Sequence, residues 1–187
     1  MKLRNPLFMK EKNIILGVTA SIAIYKACEI VRRLKAENFS VTVVMTEEAE
    51  EFIKPALFAH LSGNKVYRGL FVEPGSWEVE HVSLAQKAGL VLIAPATANI
   101  IGKIAVGICD DLLTCVVCAA QAPVLVCPAM NENMYKNRIV QDNIKKLKSL
   151  GYRFVEPKTG RLACGKIGMG CLAEVEEIVK EAKKAFH

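Results

Sequence analysis

The sequence predicts an α/β domain of three layers, αβα, built on a mostly parallel sheet of about five or six strands. Two observations carry this. Short apolar runs alternate along the chain with segments of helical periodicity, the pattern of repeated strand–helix–strand units. Several of these runs end in small or hydroxylic residues, where strands of an open parallel sheet present their ligand-binding ends. At 187 residues and 52% hydrophobic content, the chain can form one sizeable core without disulfide or metal staples. A single domain over residues 1–187 is expected, with residues 1–12 a polar leader.

Asn13–Thr19 reads as a buried strand, and Gly17 within it allows a close approach to the backbone. The Ala20-Ser21 turn leads into a helix over Ile22–Glu37, where Ile22, Ala23, Ala27, Ile30, Val31 and Leu34 keep helical spacing. Ser40–Met45 is the second strand. Thr46 can cap a helix that opens on Glu47, Glu48 and Glu50, since carboxylates suit the positive end of the helix dipole. Pro55–Leu61 reads as a short helix. Residues 62–80 read as an irregular connection, long enough to be functional or covered by a partner, with Trp77 a candidate anchor.

A short helix, His81–Ala88, precedes the strand Leu90–Ala94 and the turn Pro95–Asn99. Two apolar helices follow, Ile100–Gly107 and Asp111–Ala119. Val124–Cys127 is a short buried strand that runs into Pro128–Tyr135. Arg138–Leu150 is a helix closed by Gly151, and Tyr152–Val155 is the last strand. Pro157–Gly170 reads as glycine-rich and irregular, and Glu174–Phe186 as the final helix.

The formal net charge is +6 with no long block of one sign. That disfavours a nucleic-acid surface and suits a small anionic ligand. No apolar run approaches the ~18 residues of a membrane helix, and Ile14–Ala20 lacks the length and flanks of a signal peptide. The seven cysteines are odd in number and sit in apolar runs, against a disulfide framework and consistent with a reducing cytoplasm. Cys115 and Cys118 have Cys-Xaa-Xaa-Cys spacing, yet no second pair or histidine lies near. They read as small buried hydrophobes, and no metal site is expected.

The chemistry-bearing stretch is Pro128–Tyr135, Pro-Ala-Met-Asn-Glu-Asn-Met-Tyr. It places an asparagine and two methionines just past a strand's carboxyl end, where open α/β sheets bind ligands. Three further sheet-end positions, Ala20-Ser21, Thr46 and Pro95–Asn99, offer backbone N–H groups and hydroxyls that suit a phosphate and a flat polar ring. Each alone reads first as helix capping; together they suggest a mononucleotide site. His81 stands at a helix amino end, which favours a neutral ring able to take a proton. Cys164 lies in the glycine-rich segment beside Arg161 and Lys166, where cations favour the thiolate.

In order and spacing these segments resemble the flavin-dependent cysteine decarboxylases. The resemblance covers about residues 13–176. It is carried by Gly17–Lys26, His81, Ala94–Asn99, Gly107–Thr114, Pro128–Tyr135 and Leu162-Ala-Cys-Gly165 followed by Gly168 and Gly170. It implies a Rossmann-like flavoprotein that binds FMN through Ala20, Ser21, Ile22, Thr46, Thr97, Ala98, Asn99 and Ala129. It implies that His81, Asn131 and Cys164 are catalytic and that Asn131 and Met134 contact substrate, Asn131 at its carboxylate. The implied reaction is decarboxylation of 4′-phosphopantothenoylcysteine to 4′-phosphopantetheine in coenzyme A biosynthesis. Oxidation of the thiol carbon to a thioaldehyde precedes loss of CO2 to an enethiol, and re-reduction is completed by a proton from Cys164. The family assembles as trimers or multiples of trimers, for which the two apolar helices are the candidate surfaces.

The chain departs from that pattern at Ala20-Ser21, where several relatives carry a glycine pair, and at Tyr135, where Trp is common. Bacterial members are often fused to a carboxy-terminal ligase. Competing readings are a peptidyl-cysteine decarboxylase, a flavin prenyltransferase and a non-catalytic flavin-binding regulatory subunit. The Leu-Ala-Cys-Gly flap, Pro128–Tyr135 and the retained trio His81, Asn131 and Cys164 weigh against them.

Overall fold

The computed structural model describes residues 12–70, 80–163 and 165–186. Its sheet contains β1 (Asn13–Val18), β2 (Ser40–Met45), β3 (Val66–Tyr67), β4 (Leu90–Ala96), β5 (Val124–Pro128) and β6 (Arg153–Phe154). The spatial order is β3-β2-β1-β4-β5-β6, and every neighbouring pair is parallel. The chain therefore starts in the middle of the sheet, works outward to β3, then crosses back to β4 on the other side of β1. The reversal between β1 and β4 opens a crevice at the strands' carboxyl ends, because the loops there turn away in opposite directions.

The helices are α1 (Tyr25–Ala36), α2 (Pro55–Ser62), α3 (Glu80–Lys87), α4 (Ala98–Val106), α5 (Leu112–Ala119), α6 (Glu132–Lys136), α7 (Arg138–Ser149) and α8 (Val175–Lys183). Strand residues alternate between two cores, since successive side chains leave a sheet on opposite faces. Ile14, Leu16, Val41, Val43, Leu90 and Leu92 meet α1, α2 and α8 on one face. Ile15, Val44, Val91, Ile93 and Val126 meet α3, α4, α5 and α7 on the other. The amphipathic stripe of α1, Ala27, Ile30, Val31 and Leu34, is fully buried as its spacing predicts. The three-layer α/β expectation holds. Among the described residues no helix is long and apolar enough to cross a membrane.

The differences are local. The helix expected from Ile22 starts as a 3-10 turn, Ile22–Ile24, before α1. β4 runs through Ala96, so Pro95 is strand, Thr97 is the cap of α4, and Ala98 and Asn99 are its first turn. Three strands fall in segments that the sequence reads as irregular. β3 is only two residues long, too short for a periodic signal. β7 (Lys158–Arg161) and β8 (Ile167–Cys171) form a separate antiparallel hairpin rich in glycine, a residue that strand propensity counts against. Trp77 and the leader expected at residues 1–12, apart from Lys12, lie outside the described residues.

Gly17 is required by packing. A Cβ there would lie 2.6 Å from the Leu113 side chain, which α5 lays across the middle of β1. Leu113 is itself buried. Gly17→Ala is expected to destabilise the fold by about 1–3 kcal/mol through overpacking. The Gly17→Ala/Leu113→Ala pair should cost less than the sum of the two single changes in urea unfolding; strict additivity would mean that the two positions do not compete for space.

Candidate active site

The crevice is built by hydrogen bonds that tie three strand ends together. Thr19, one residue past β1, donates from Oγ1 to the Pro95 carbonyl (2.8 Å) and accepts from the Thr97 N–H (3.2 Å). Ser21 Oγ caps the 3-10 turn by accepting from the Ala23 N–H and donates to the Ala129 carbonyl, both at 3.3 Å. The Ala129 N–H donates to the Ala96 carbonyl at 2.9 Å. Two hydroxyls after β1 thus do work that an apolar side chain could not, since buried backbone groups need partners.

Past β5 the chain turns into α6. Asn131 caps that helix, its Oδ1 accepting from the Asn133 N–H at 2.8 Å. The Tyr135 hydroxyl donates to Glu156 Oε2 at 2.6 Å, Lys148 holds the other carboxylate oxygen, and Gln141 Nε2 donates to the Tyr135 carbonyl at 2.5 Å. Burial, aided by Glu156, pushes the Tyr135 phenol up to about 12. Burial also raises the Glu156 carboxyl, but the bonds from Lys148 and Tyr135 outweigh it and hold the group below its ordinary value. This network anchors the far end of Pro128–Tyr135.

The β7–β8 hairpin folds onto the near end. The Met130 N–H donates to the Gly170 carbonyl at 3.0 Å. Gly170 has φ +137°, and a Cβ there would lie 2.2 Å from the Met130 carbonyl oxygen. At Gly168 a Cβ would lie 2.6 Å from Glu132 Oε2. Gly170 therefore allows two backbones to meet, and Gly168 leaves room for the Glu132 side chain.

Between the strand ends and the hairpin lies a cleft of about 550 Å³. Ala20, Ser21, Ile22, Thr97 and Ala129 line its sheet side, with Asn131 and Met134 from the loop after β5. Lys158, Arg161, Leu162 and Cys171 line it from the hairpin, Tyr25 and Lys26 from α1. Ile22, Tyr25 and Met134 stay about half exposed or more, at 59%, 63% and 48%. Apolar side chains left open around a concave site suit an organic ligand.

The Flavoprotein family model matches residues 3–187. The chain belongs to the Flavoprotein family. It is 46% identical over 178 residues to the coenzyme A biosynthesis bifunctional protein CoaBC of Bacillus subtilis strain 168, a match covering 95% of this chain and 44% of that one. It is 39% identical over 175 residues to a probable phosphopantothenoylcysteine decarboxylase of Streptococcus mutans, covering 92% and 98%. Its fold matches the solved structure of a cysteine-to-serine mutant of PPC decarboxylase complexed with pantothenoylaminoethenethiol. There the TM-score is 0.82 at 30% identity, over 92% of this chain and 96% of the other. The chain spans less than half the length of the bifunctional relatives it matches.

In this Flavoprotein-family chain, seven of the expected site residues share the cleft: Ala20, Ser21, Ile22, Thr97, Ala129, Asn131 and Met134. Thr46 stands at the end of β2, outside the lining. It occupies a cap position without making the expected side-chain bond. Instead its Oγ1 is buried with no hydrogen-bond partner among the described residues. Ala98 and Asn99 lie behind Thr97 in α4. His81 sits half-buried in the first turn of α3, in the helix layer of the second core, and is not among the residues lining the cleft. Cys164 lies outside the described residues. The buried reading of the Cys-Xaa-Xaa-Cys pair is corrected: Cys115 is half-buried and Cys118 exposed, because the outer face of α5 carries them. The structure adds Thr19, Lys26, Lys158 and Arg161 to the site. A hydroxyl ending an apolar strand could have signalled Thr19; the cations become neighbours only through the unforeseen hairpin.

Gly170→Ala should loosen the hairpin. A strained φ of this kind costs of order 1–3 kcal/mol, and the backbone clash adds to it. Limited proteolysis is expected to cut within residues 158–171 faster than in the parent. Gly165→Ala, also at positive φ but with nothing within 4 Å of the new Cβ, should change it less. Equal protease sensitivity of the two variants would contradict the docking.

Proposed function

We propose that this chain is an FMN-dependent carboxy-lyase that converts 4′-phosphopantothenoylcysteine to 4′-phosphopantetheine, a step of coenzyme A biosynthesis. The observation that carries the reading is a single cleft lined both by Ser21 and Thr97, from the ends of β1 and β4, and by Asn131 and Met134, from the loop after β5. The likeness to the Streptococcus mutans relative over almost its whole length supports the substrate.

The residues present fit FMN. Thr46 Oγ1 is a buried hydroxyl that lacks a partner among the described residues, an arrangement costly unless a ligand supplies one. With the hydroxyls of Ser21 and Thr97 it would hold the phosphate and ribityl chain, and Ala129 would border the ring. When bound, FMN supplies the electron sink that a bare cysteinyl carboxylate lacks.

Asn131 orients the substrate carboxylate. Its Oδ1 faces the Asn133 N–H, so the donors of the amide lie on Nδ2. A neutral donor holds the carboxylate without stabilising its charge against departure as CO2; a lysine there would favour the ground state. Met134 packs beside the substrate chain. His81 acts on the thiol proton or positions the thiol, and Cys164 delivers the final proton to carbon.

His81 does not line the cleft of its own chain, which supports a homo-oligomer, a trimer or a multiple of trimers, whose subunit boundary completes the site. Val82, Val106 and Ile108, exposed on α3, at the end of α4 and just after it, suit such a boundary. The six described cysteines are free, in keeping with a reducing cytoplasm.

Purified yellow protein incubated with 4′-phosphopantothenoylcysteine is expected to release CO2 and phosphopantetheine in equal amounts. No turnover, with a carboxy-terminal peptide cysteine accepted instead, would overturn the assignment. Asn131→Asp preserves the cap of α6, so the fold and flavin content should persist. Its carboxylate should repel that of the substrate and lower turnover at least ~100-fold, as like charges in contact cost several kcal/mol. Cys164→Ser should still release CO2 but accumulate the enethiol; full product formation by that variant would remove Cys164 from its role.

A further inference from the structure

The proposed reaction leaves a group of cations around the cleft without a task. Lys26, from the first turn of α1, and Lys158 and Arg161, from β7, all line it. None is suited to the carboxylate that must depart, since a fixed cation there would oppose its loss. Lys158 is paired with Glu174. Lys26 and Arg161 form no salt bridge among the described residues. Three cations against the one carboxylate paired with them leave two positive charges in excess.

Lys26 lies close enough to Glu174 for its charge to help Lys158 hold that carboxyl below its ordinary value, so one carboxylate serves both lysines. Arg161 is held on a regular strand, and its carbonyl accepts from Cys171 Sγ at 3.5 Å. Its backbone is thus fixed while its guanidinium stays exposed. Ile22, Tyr25, Met134 and Leu162 line the same cleft and supply apolar surface for an aliphatic chain.

We infer that Lys26, Lys158 and Arg161 form a subsite for the terminal phosphate of the substrate, and so select a phosphorylated pantothenoyl chain over its dephosphorylated form or a peptide. The inference rests on the reaction proposed above. A phosphate monoester carries about −1.5 to −2 charges near neutral pH, which matches the excess. Arg161 can engage it bidentately and the lysines as point charges. The phosphate of FMN is assigned elsewhere, to the hydroxyls of Ser21, Thr46 and Thr97, at the strand ends rather than the hairpin.

The test uses the FMN-loaded protein and two substrates, pantothenoylcysteine with and without its phosphate. In Arg161→Gln and Lys26→Gln, the preference for the phosphorylated substrate, read as the ratio of kcat/KM values, should fall about 10- to 100-fold, the worth of a hydrogen bond to a charged group. Lys158 is spared because its removal would strand Glu174. In parallel, equilibrium binding of 4′-phosphopantetheine and pantetheine reads the subsite without turnover. The phosphorylated ligand should bind at least ~10-fold tighter, and added salt should weaken that ligand alone. An unchanged preference ratio in both variants would overturn the subsite, as would loss of flavin from them, which would give the cations to the phosphate of FMN. Turnover without phosphate preference would sink the subsite and leave the reaction standing. Tight, salt-sensitive binding of phosphopantetheine without decarboxylation would do the reverse.

Discussion

The Met130 N–H and the Gly170 carbonyl meet at 3.0 Å, and this contact joins the β7–β8 hairpin to the loop after β5. A two-stranded hairpin is marginal in water and needs a surface to dock on. Here it docks through backbone, with Leu162, Leu172 and Ala173 buried at its margins. Without it the strand ends would form an open crevice, lacking Lys158, Arg161 and Leu162 as one wall. The requirement explains Gly170 better than flexibility does, since a Cβ there would strike the backbone of the loop that carries Asn131.

The other wall follows from topology. Only at the switch between β1 and β4 do neighbouring loops part, and there hydroxyls replace apolar side chains. Thr19 bridges Pro95 and Thr97, and Ser21 reaches Ala129, so three strands end at one fixed level. Asn131 and Tyr135 are set from both sides, by the hairpin and by the bond to Glu156. The site is thus held by hydrogen bonds among short segments. On the reaction proposed above, its chemistry would be divided: neutral donors where a charge must leave, cations where a charge stays.

The sequence disclosed the sheet and its helices because buried runs such as Leu90–Ala94 and the stripe of α1 have periods that report their environment. It disclosed the site in part. Pro128–Tyr135 and the turns at Ser21 and Thr97 were legible, since polar residues interrupting apolar runs at strand ends have few other uses. The hairpin was not, because its glycines answer to a neighbour far away in sequence and argue locally against a strand. The unpartnered hydroxyl of Thr46 was likewise hidden, as a cap position looks the same in sequence whether or not its side chain caps. The catalytic role that the family resemblance implies for His81 would, from its place in α3, need another copy of the chain to complete the site.

Amide hydrogen exchange at Met130 tests the central claim most directly. If the hairpin is held on the active-site loop as described, the Met130 N–H should be protected to a degree comparable with the Ala129 N–H, which bonds to Ala96. Exchange at the rate of an exposed loop, with Ala129 still protected, would show that the hairpin does not close the cleft and would contradict the account.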